Sequence, residues 1–419
     1  MPENRKRPAS VPAMNRLLVF WLAARTVFQG AAADAKRTQD ASQDGWRVNS
    51  NHQTDAHCMF TKRGPPDDEE DGIPIHITNN CGETIWPGIE TQSGTGPGTG
   101  GFEQAPGNTT RLWVSPEWQG RIWGRTNCTV SGESASCETG DCGQLLDCQA
   151  GGEPPATLAE FTLAGGTDGN QTFYDISLVD GYNLPLSINH IPSDNTTFIP
   201  PNLTNCACIA TSGWLDGSAG TGTTYYSNDT YPIPWETDES DESVRSWCPW
   251  PNLVSPPEKP GHGIFPYPDD SIPRPPFSPC LSSCAATGKK EDCCAGEYDD
   301  AEKCKPARYS RRAKNVCPDA YSFAYDDDES TFIVPRGRGG GWEVVLCPAG
   351  RSTSILRQLG AELRELGAGG RLSEETVGRL QNVTYITMDK GDAGVVRPMV
   401  MTMMMVRWTS FALVIWLVL

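Results

Sequence analysis

Histidine and apolar residues are both scarce in this sequence. Its 419 residues include five His, and 37% of them are hydrophobic. The chain also has no pair of Cys-x-x-Cys knuckles at the spacing of zinc fingers or ribbons, so its cysteines are not expected to bind zinc. With so few apolar residues for its length, the protein needs a source of stability beyond its hydrophobic core.

Positive charge is scarce as well. The sequence has 34 Lys and Arg against 52 Asp and Glu, which gives a net charge of −18. Such a surface repels the phosphates of nucleic acids, so we expect no nucleic-acid partner. The same acidity is compatible with a cleft lined by carboxylates.

Glycine, proline and cysteine are abundant instead. The 43 Gly and 34 Pro predict many turns and loops and little long helix. The 16 Cys point to disulfide bonds, which persist in oxidising compartments. We therefore expect a secreted protein that is stabilised by disulfides.

The N-terminus has the features of a secretory signal. A basic segment precedes the apolar residues 17–24, and small residues follow at 30–33. This order predicts a signal peptide with an N-terminal extension over residues 1–33, with a short buried helix as the alternative interpretation. Residues 34–72 are polar and acidic, so we interpret them as a flexible leader.

The C-terminal end predicts an anchor. Residues 408–419 carry no charge and are too few to span a bilayer as a helix. A small-residue site precedes them, so residues 395–419 are predicted to be a glycosylphosphatidylinositol (GPI) signal that anchors the protein to the plasma membrane or cell wall. A single-pass helix beginning near Met399 is the alternative, with Arg407 as its defect. Residues 351–394 are predicted to be a stalk that includes one short amphipathic helix around Leu359 and Leu363.

Alternating apolar residues predict strands in the middle of the chain. Short segments with this pattern occur at 73–77, 111–114, 121–124, 159–163 and 173–179, with glycine-rich turns between them. Short strands at such regular spacing indicate an antiparallel β-sandwich, and loops held by cysteines follow it in the chain. The predicted fold class is therefore mainly β, with disulfide-rich loop subdomains.

The segment CETGDCGQLLDC, residues 137–148, resembles the signature of the thaumatin family. Further blocks that resemble this family stand in the family's order at residues 77–81, 121–128, 154–161, 173–183, 293–294, 317–322 and 344–348. The resemblance covers residues 73–350, with a Pro-rich insertion at about 214–279. It implies the thaumatin-like sandwich.

The resemblance also implies a set of disulfides. The seven pairs that it implies are Cys81–Cys347, Cys128–Cys137, Cys142–Cys148, Cys208–Cys317, Cys248–Cys280, Cys284–Cys293 and Cys294–Cys304. The family's eighth pair needs a cysteine between Cys317 and Cys347, where this chain has none. Cys206 and Cys58 are therefore left over. They either pair with each other, or Cys58 leaves with a propeptide and Cys206 stays free.

Many members of this family have an acidic cleft made of one Arg, one Glu and three Asp. The matching residues here are Arg121, Glu160, Asp175, Asp180 and Asp319. Hydrolysis of a glycoside needs one protonated and one ionised carboxyl group. The resulting hypothesis makes Glu160 the general acid and Asp175 the nucleophile or base, while Arg121, Asp180 and Asp319 bind substrate.

Each of these residues also has a structural interpretation. Asp319 could cap a helix, and Asp180 with Gly181 could form a turn. Aromatic residues near the motifs could stack on sugars or simply pack, and they are Tyr182, Tyr321 and Phe323. The acidic run 326–329 is interpreted as a solvated loop. We expect no cofactor and no metal.

Two main functions agree with these features. The first is an endo-β-1,3-glucanase at the cell wall. The second is a non-catalytic thaumatin-like wall protein that binds glucan or acts against fungi. A third hypothesis is a protein whose partner docks on residues 249–279. Seven Asn-x-Ser/Thr sequons fit a glycosylated surface protein, and they begin at Asn108, Asn127, Asn170, Asn195, Asn202, Asn228 and Asn382.

Overall fold

A computed structural model describes residues 72–166, 168–191, 199–212, 240–255, 279–336, 340–348 and 350–381. The predicted signal peptide, GPI-type tail and Cys58 lie outside these residues, as do nearly all of the acidic leader and most of the Pro-rich insertion. Within the described ranges, no helix combines the length and the apolarity that crossing a bilayer requires.

Strands form most of the regular structure in these ranges. They are β1 (Ile73–Asn79), β2 (Trp86–Ser93), β3 (Thr109–Val114), β4 (Gln119–Arg125), β5 (Thr129–Ser131), β6 (Ser134–Ser136), β7 (Leu158–Gly165), β8 (Gln171–Ser177), β9 (Leu186–Ile191), β10 (Cys206–Cys208), β11 (Phe332–Pro335) and β12 (Gly341–Leu346). The helices are short, apart from the fifth. They are α1 (Pro201–Thr204), α2 (Asp241–Ser246), α3 (Ser283–Thr287), α4 (Arg308–Val316), α5 (Ile355–Gly369) and α6 (Glu374–Leu380).

Two five-stranded sheets form the sandwich. The first sheet has the order β10-β9-β12-β1-β3, and the second has the order β11-β8-β7-β4-β2. All of their strand pairs are antiparallel except β1 with β12, which run parallel side by side. The predicted mainly β, thaumatin-like sandwich is therefore confirmed, with one parallel pair that joins the two ends of the domain.

Aromatic residues from both sheets fill the space between them. Phe161 of β7 and Tyr174 of β8 alternate with half-buried residues, as the period of a strand requires. The ring of Trp342 from β12 lies 4.3 Å from that of Tyr174 and 5.9 Å from that of Phe161, measured between centroids. This cluster fixes which residues of β7 and β8 face away from the core.

All seven disulfides implied by the family resemblance are present. They are Cys81–Cys347, Cys128–Cys137, Cys142–Cys148, Cys208–Cys317, Cys248–Cys280, Cys284–Cys293 and Cys294–Cys304. The first joins residues 266 positions apart, immediately beyond the parallel pair of strands. In the chain-entropy model, closing so long a loop stabilises the folded state by on the order of 5 kcal/mol.

The helices α5 and α6 pack against the sandwich, which differs from the stalk that the sequence predicted for this segment. Leu363 and Leu366 are buried, and they belong to the same hydrophobic core as the strands. Gln171 at the start of β8 also donates a hydrogen bond to the carbonyl of Gly367, at 2.8 Å. The apolar stripe of α5 predicts that one face of the helix is buried, but it does not identify the surface against which that face packs. In the fold this face packs against β11, the strand at the edge of the second sheet.

Replacing Leu366 with Ala is expected to lower the free energy of unfolding by about 2–5 kcal/mol, because the side chain is fully buried and its removal leaves a cavity. Arg364→Ala on the exposed face of the same helix should change it by less than about 0.5 kcal/mol. Urea unfolding curves of the two variants test the packing. Equal small effects would mean that α5 does not contribute to the core.

Candidate functional site

A row of four charged residues crosses the outer face of the second sheet. Glu90 of β2 lies directly opposite Arg121 of β4, Arg121 lies opposite Glu160 of β7, and Glu160 lies opposite Asp175 of β8. Residues in directly opposite positions have Cβ atoms about 4.5–5.5 Å apart. Three of the five residues that the sequence singled out therefore meet side by side.

A cavity of about 480 Å³ lies over this row, and it is called the cleft below. Its floor is the outer face of the second sheet, and one wall comes from the disulfide-rich loop subdomain, residues 280–304. The acidic groups that line it are Glu90, Glu153, Glu160, Asp175, Asp180, Asp292 and Asp327. Arg121 is the one basic residue among the described residues of the lining.

Arg121 is enclosed by carboxylates. Its Nε donates a hydrogen bond to Oε2 of Glu90, and its Nη1 lies 3.8 Å from Oδ2 of Asp180. Burial disfavours its positive charge, but Glu160, Glu90 and Asp180 together raise its pKa above the ordinary value. The guanidinium is therefore a fixed positive charge in the floor of the cleft.

The two central carboxyl groups have different surroundings. Burial raises the pKa of Asp175 well above its ordinary value, and the charges of Glu160 and Asp327 raise it further. Burial also raises the pKa of Glu160, but the neighbouring charge of Arg121 opposes this rise. Moreover, Oδ1 of Asp175 is buried and has no hydrogen-bond partner. These surroundings favour the ionised form more at Glu160 than at Asp175, whereas the sequence-based hypothesis made Glu160 the protonated member of the pair.

Asp180 both lines the cleft and begins a turn. Burial raises the pKa of its carboxyl group, while the charge of Arg121 lowers it. The next residue, Gly181, has a φ of +97°, and a Cβ at this position would lie 2.5 Å from the carbonyl oxygen of Cys280. The turn thus requires glycine, and it presents Asp180 to Arg121. The structural and the functional interpretations of Asp180 are both compatible with this geometry.

Asp319 does not line the cleft, so its predicted role there is corrected. It is 1% exposed, and its two carboxylate oxygens accept hydrogen bonds from the backbone N–H groups of Ile355 and Leu356, at 2.8 and 2.9 Å. These N–H groups are among those that the first turn of α5 leaves without a partner inside the helix. Asp319 therefore caps a helix, although that helix begins 36 residues later in the chain.

Asp327 lines the cleft. The sequence did not identify it, because the whole run 326–329 was interpreted as a solvated loop. Its Oδ1 accepts a hydrogen bond from the hydroxyl of Tyr321, at 2.9 Å. Lys314 forms an ion pair with the same loop, with its Nζ 3.1 Å from Oδ2 of Asp326. The next residue, Asp328, is exposed. The acidic run just before β11 was the available signal, but the sequence does not show which of its side chains turns inward.

The aromatic residues divide into two groups. Tyr321 and Phe323 line the cleft, and so does Phe173, which lies two residues before Asp175 on β8 and was missed. Tyr182 is 1% exposed, belongs to the core and shares a hydrogen bond with Thr211. Tyr182 is therefore a packing residue.

Carboxylates can bind hard cations, so their grouping matters. Across the parts of the chain that the structure describes, no group of three or more His, Cys, Asp or Glu side chains is arranged to hold a metal ion.

A sequence model of the thaumatin family matches residues 79–348 of this chain. The chain belongs to the thaumatin family. It is 36% identical over 276 residues to the pathogenesis-related thaumatin-like protein 3.5 of Cryptomeria japonica, covering 65% of this chain and 89% of that protein. It is 35% identical over 275 residues to the pathogenesis-related protein 5 of Arabidopsis thaliana, again covering 65% and 89%. The solved structure of the thaumatin-like xylanase inhibitor TLXI aligns with 28% of this chain and 76% of its own, at 31% identity and a TM-score of 0.24.

The thaumatin match ends before α5, so the two packed helices lie beyond it. Inside the match, Cys206 has no disulfide among the described residues and is fully buried in β10. Burial raises the pKa of its thiol well above the ordinary value, which keeps it protonated. Because Cys58 lies outside the described residues, pairing between the two cysteines stays a prediction.

Replacing Asp175 with Asn is expected to stabilise the protein at neutral pH. Folding raises the pKa of Asp175, so between its unfolded and folded pKa values the folded state binds more protons than the unfolded state. The free energy of unfolding therefore falls as the pH rises through this window. Each unit of pKa difference between the two states is worth about 1.4 kcal/mol above that window.

The measurement is urea unfolding of Asp175→Asn and of the wild-type protein at about pH 7 and about pH 3, the latter below the ordinary Asp pKa of about 3.9. The variant should gain stability at the higher pH and little at the lower one. Asp328→Asn, at an exposed position, should change neither value. A variant that is less stable than the wild-type protein at both pH values would contradict the prediction, because it would show that ionised Asp175 does not destabilise the folded state.

Proposed function

We propose that this thaumatin-family protein is secreted and acts on β-1,3-glucan of cell walls through the cleft, by hydrolysis. The observation that carries the proposal is the row of Arg121, Glu160 and Asp175, which are direct cross-strand neighbours in the floor of a cavity of about 480 Å³. β-1,3-Glucan as the substrate class is what the family resemblance implies. The similarity to pathogenesis-related proteins supports a role in defence.

In this mechanism Asp175 is the general acid. Its raised pKa favours the protonated form, and it donates that proton to the glycosidic oxygen as the bond breaks. Glu160, which Arg121 holds toward the ionised form, attacks the sugar or activates a water. Asp180 at the side of the cleft binds sugar hydroxyl groups. This assignment reverses the roles that the sequence suggested for Glu160 and Asp175.

The register of β7 and β8 is compatible with retention of configuration. Retaining enzymes place them about 5–5.5 Å apart, whereas inverting enzymes leave about 6.5–9.5 Å for a water. Direct cross-strand neighbours have Cβ atoms about 4.5–5.5 Å apart, so the carboxyl groups of Glu160 and Asp175 can approach each other as closely as those of a retaining enzyme. In this proposal Glu160 is therefore the nucleophile, and the first product keeps the β configuration.

The walls of the cleft suit a sugar polymer. Phe173, Tyr321 and Phe323 offer ring faces and edges on which pyranose rings can pack, while the acidic groups accept hydrogen bonds from sugar hydroxyls. The cleft is also lined by residues from the second sheet, the disulfide-rich loop subdomain and the loop before β11. An endo-acting enzyme needs such contacts on both sides of the cleaved bond.

Secretion rests on the disulfides. Seven disulfides in one domain require an oxidising compartment. The signal peptide over residues 1–33 and the GPI anchor over residues 395–419 stay proposals from the sequence. An anchor of this kind would hold the enzyme at the membrane face of the wall, where its polymer lies.

Activity is tested with the soluble β-1,3-glucan laminarin, by measuring new reducing ends. Glu160→Gln and Asp175→Asn should each lower kcat about 100- to 10,000-fold, because each removes a group that transfers a proton or forms a bond in the transition state. Asp328→Asn removes the same charge beside the cleft without lining it, so it should keep wild-type activity. Proton NMR of the first product should show the β anomer.

Glucan binding without turnover is the second candidate, because the acidic, ring-lined cleft can hold a sugar polymer whether or not its carboxyl groups act on it. Retention on insoluble glucan with no release of reducing ends by wild-type protein would establish this function and exclude the first. In that case Glu160→Gln should weaken retention, and Asp328→Asn should not.

The pH dependence should respond to Asp327. The charge of Asp327 raises the pKa of Asp175, so Asp327→Asn should lower it and move the alkaline limb of the kcat–pH profile to lower pH. Asp328→Asn should leave both limbs in place. An unchanged alkaline limb in Asp327→Asn would mean that Asp175 is not the group whose proton is lost there.

A further inference from the structure

We propose that in the folded protein Asn108, Asn127 and Asn170 carry N-linked glycans, whereas Asn202, whose amide holds the end of the C-terminal helix pair, carries none. All four residues begin Asn-x-Thr sequons. The sequons at Asn195, Asn228 and Asn382 lie outside the described residues. The proposal rests on burial and hydrogen bonding, and it does not depend on the activity proposed above.

The three proposed acceptors are exposed and lie outside regular strands and helices. Asn108 precedes β3, Asn127 lies between β4 and β5, and Asn170 precedes β8. Asn127 donates one hydrogen bond from its Nδ2 to Oε2 of Glu138, at 3.1 Å and at the surface. The Nδ2 group has two hydrogens, so it can keep this bond and still accept a sugar.

Glycan transfer needs a free Nδ2. The nitrogen forms a bond to the anomeric carbon of the donor sugar, the bond from that carbon to the pyrophosphate of a lipid-linked oligosaccharide breaks, and Nδ2 loses one proton. The product is a bulky hydrophilic group that must point into solvent. The exposed positions of Asn108, Asn127 and Asn170 satisfy this requirement.

Asn202 fails the same requirement. It is 0% exposed within α1, and its Nδ2 donates a hydrogen bond of 2.8 Å to the carbonyl of Leu380, the last residue of α6. That carbonyl lies at a helix C-terminus, where it has no partner inside the helix. A glycan on Asn202 would have to occupy the place of α6. A modified Asn202 and a docked α6 therefore exclude each other.

The three proposed glycans would also be attached outside the lining of the cleft. None of their acceptors belongs to the lining of the cleft. A large polymeric ligand could therefore approach the second sheet without meeting a glycan attached to the cleft wall.

The experiment uses the full chain, secreted from a eukaryotic host. Treatment with peptide N-glycosidase in ¹⁸O water converts each glycosylated Asn to labelled Asp, which mass spectrometry of proteolytic peptides detects. We expect label at Asn108, Asn127 and Asn170 and none at Asn202. Label at Asn202 in the folded, secreted protein, or its absence from the other three, would overturn the proposal.

Variants give a second readout that needs no peptide assignment. Asn108→Gln, Asn127→Gln and Asn170→Gln should each remove one glycan from the secreted protein on a denaturing gel. Thr204→Val destroys the sequon of Asn202 but keeps the amide and the shape of the neighbouring side chain, so it should leave the mobility unchanged. A loss of one glycan in Thr204→Val would contradict the assignment, whether or not the variant is fully stable.

Discussion

The register between β4, β7 and β8 is the constraint on which the cleft depends. Because successive side chains of a strand point to opposite faces, a slip of one residue would move Glu160 and Asp175 into the core and the core aromatics into the cleft. The contacts of Phe161 and Tyr174 with Trp342 oppose such a slip, since all three rings would lose their burial. The same packing that stabilises the sandwich therefore aligns the charges on its other face.

This alignment is costly to the fold. Glu160, Asp175 and Asp180 all have raised pKa values because burial disfavours their charges, and a fold that optimised stability alone would avoid such a group. The disulfides offset this cost, above all Cys81–Cys347, which joins the two ends of the domain beside the parallel strand pair. A stable frame with destabilising acids in one cleft is typical of a functional site.

The C-terminal helices show how buried polar side chains can attach an added segment. Asp319 accepts hydrogen bonds from the start of α5, and Asn202 donates one to the end of α6. Between these two contacts, the apolar face of α5 covers the edge of β11, the outer strand next to β8. The extension lies beyond the family match, yet it closes the sheet edge closest to Asp175.

The sequence by itself determined the sandwich, the seven disulfides and most of the acidic row, because strand period, cysteine order and family motifs are local or ordered features of a chain. Only the tertiary structure decided that Asp327 is the residue of the acidic run that lines the cleft. It likewise decided that Asp319 caps a helix that begins 36 residues later in the chain. It also decided that Glu160, and not Asp175, is the direct cross-strand neighbour of Arg121, and that Asn202 is buried. These properties depend on which distant segments cover a residue, and neither residue type nor spacing records that.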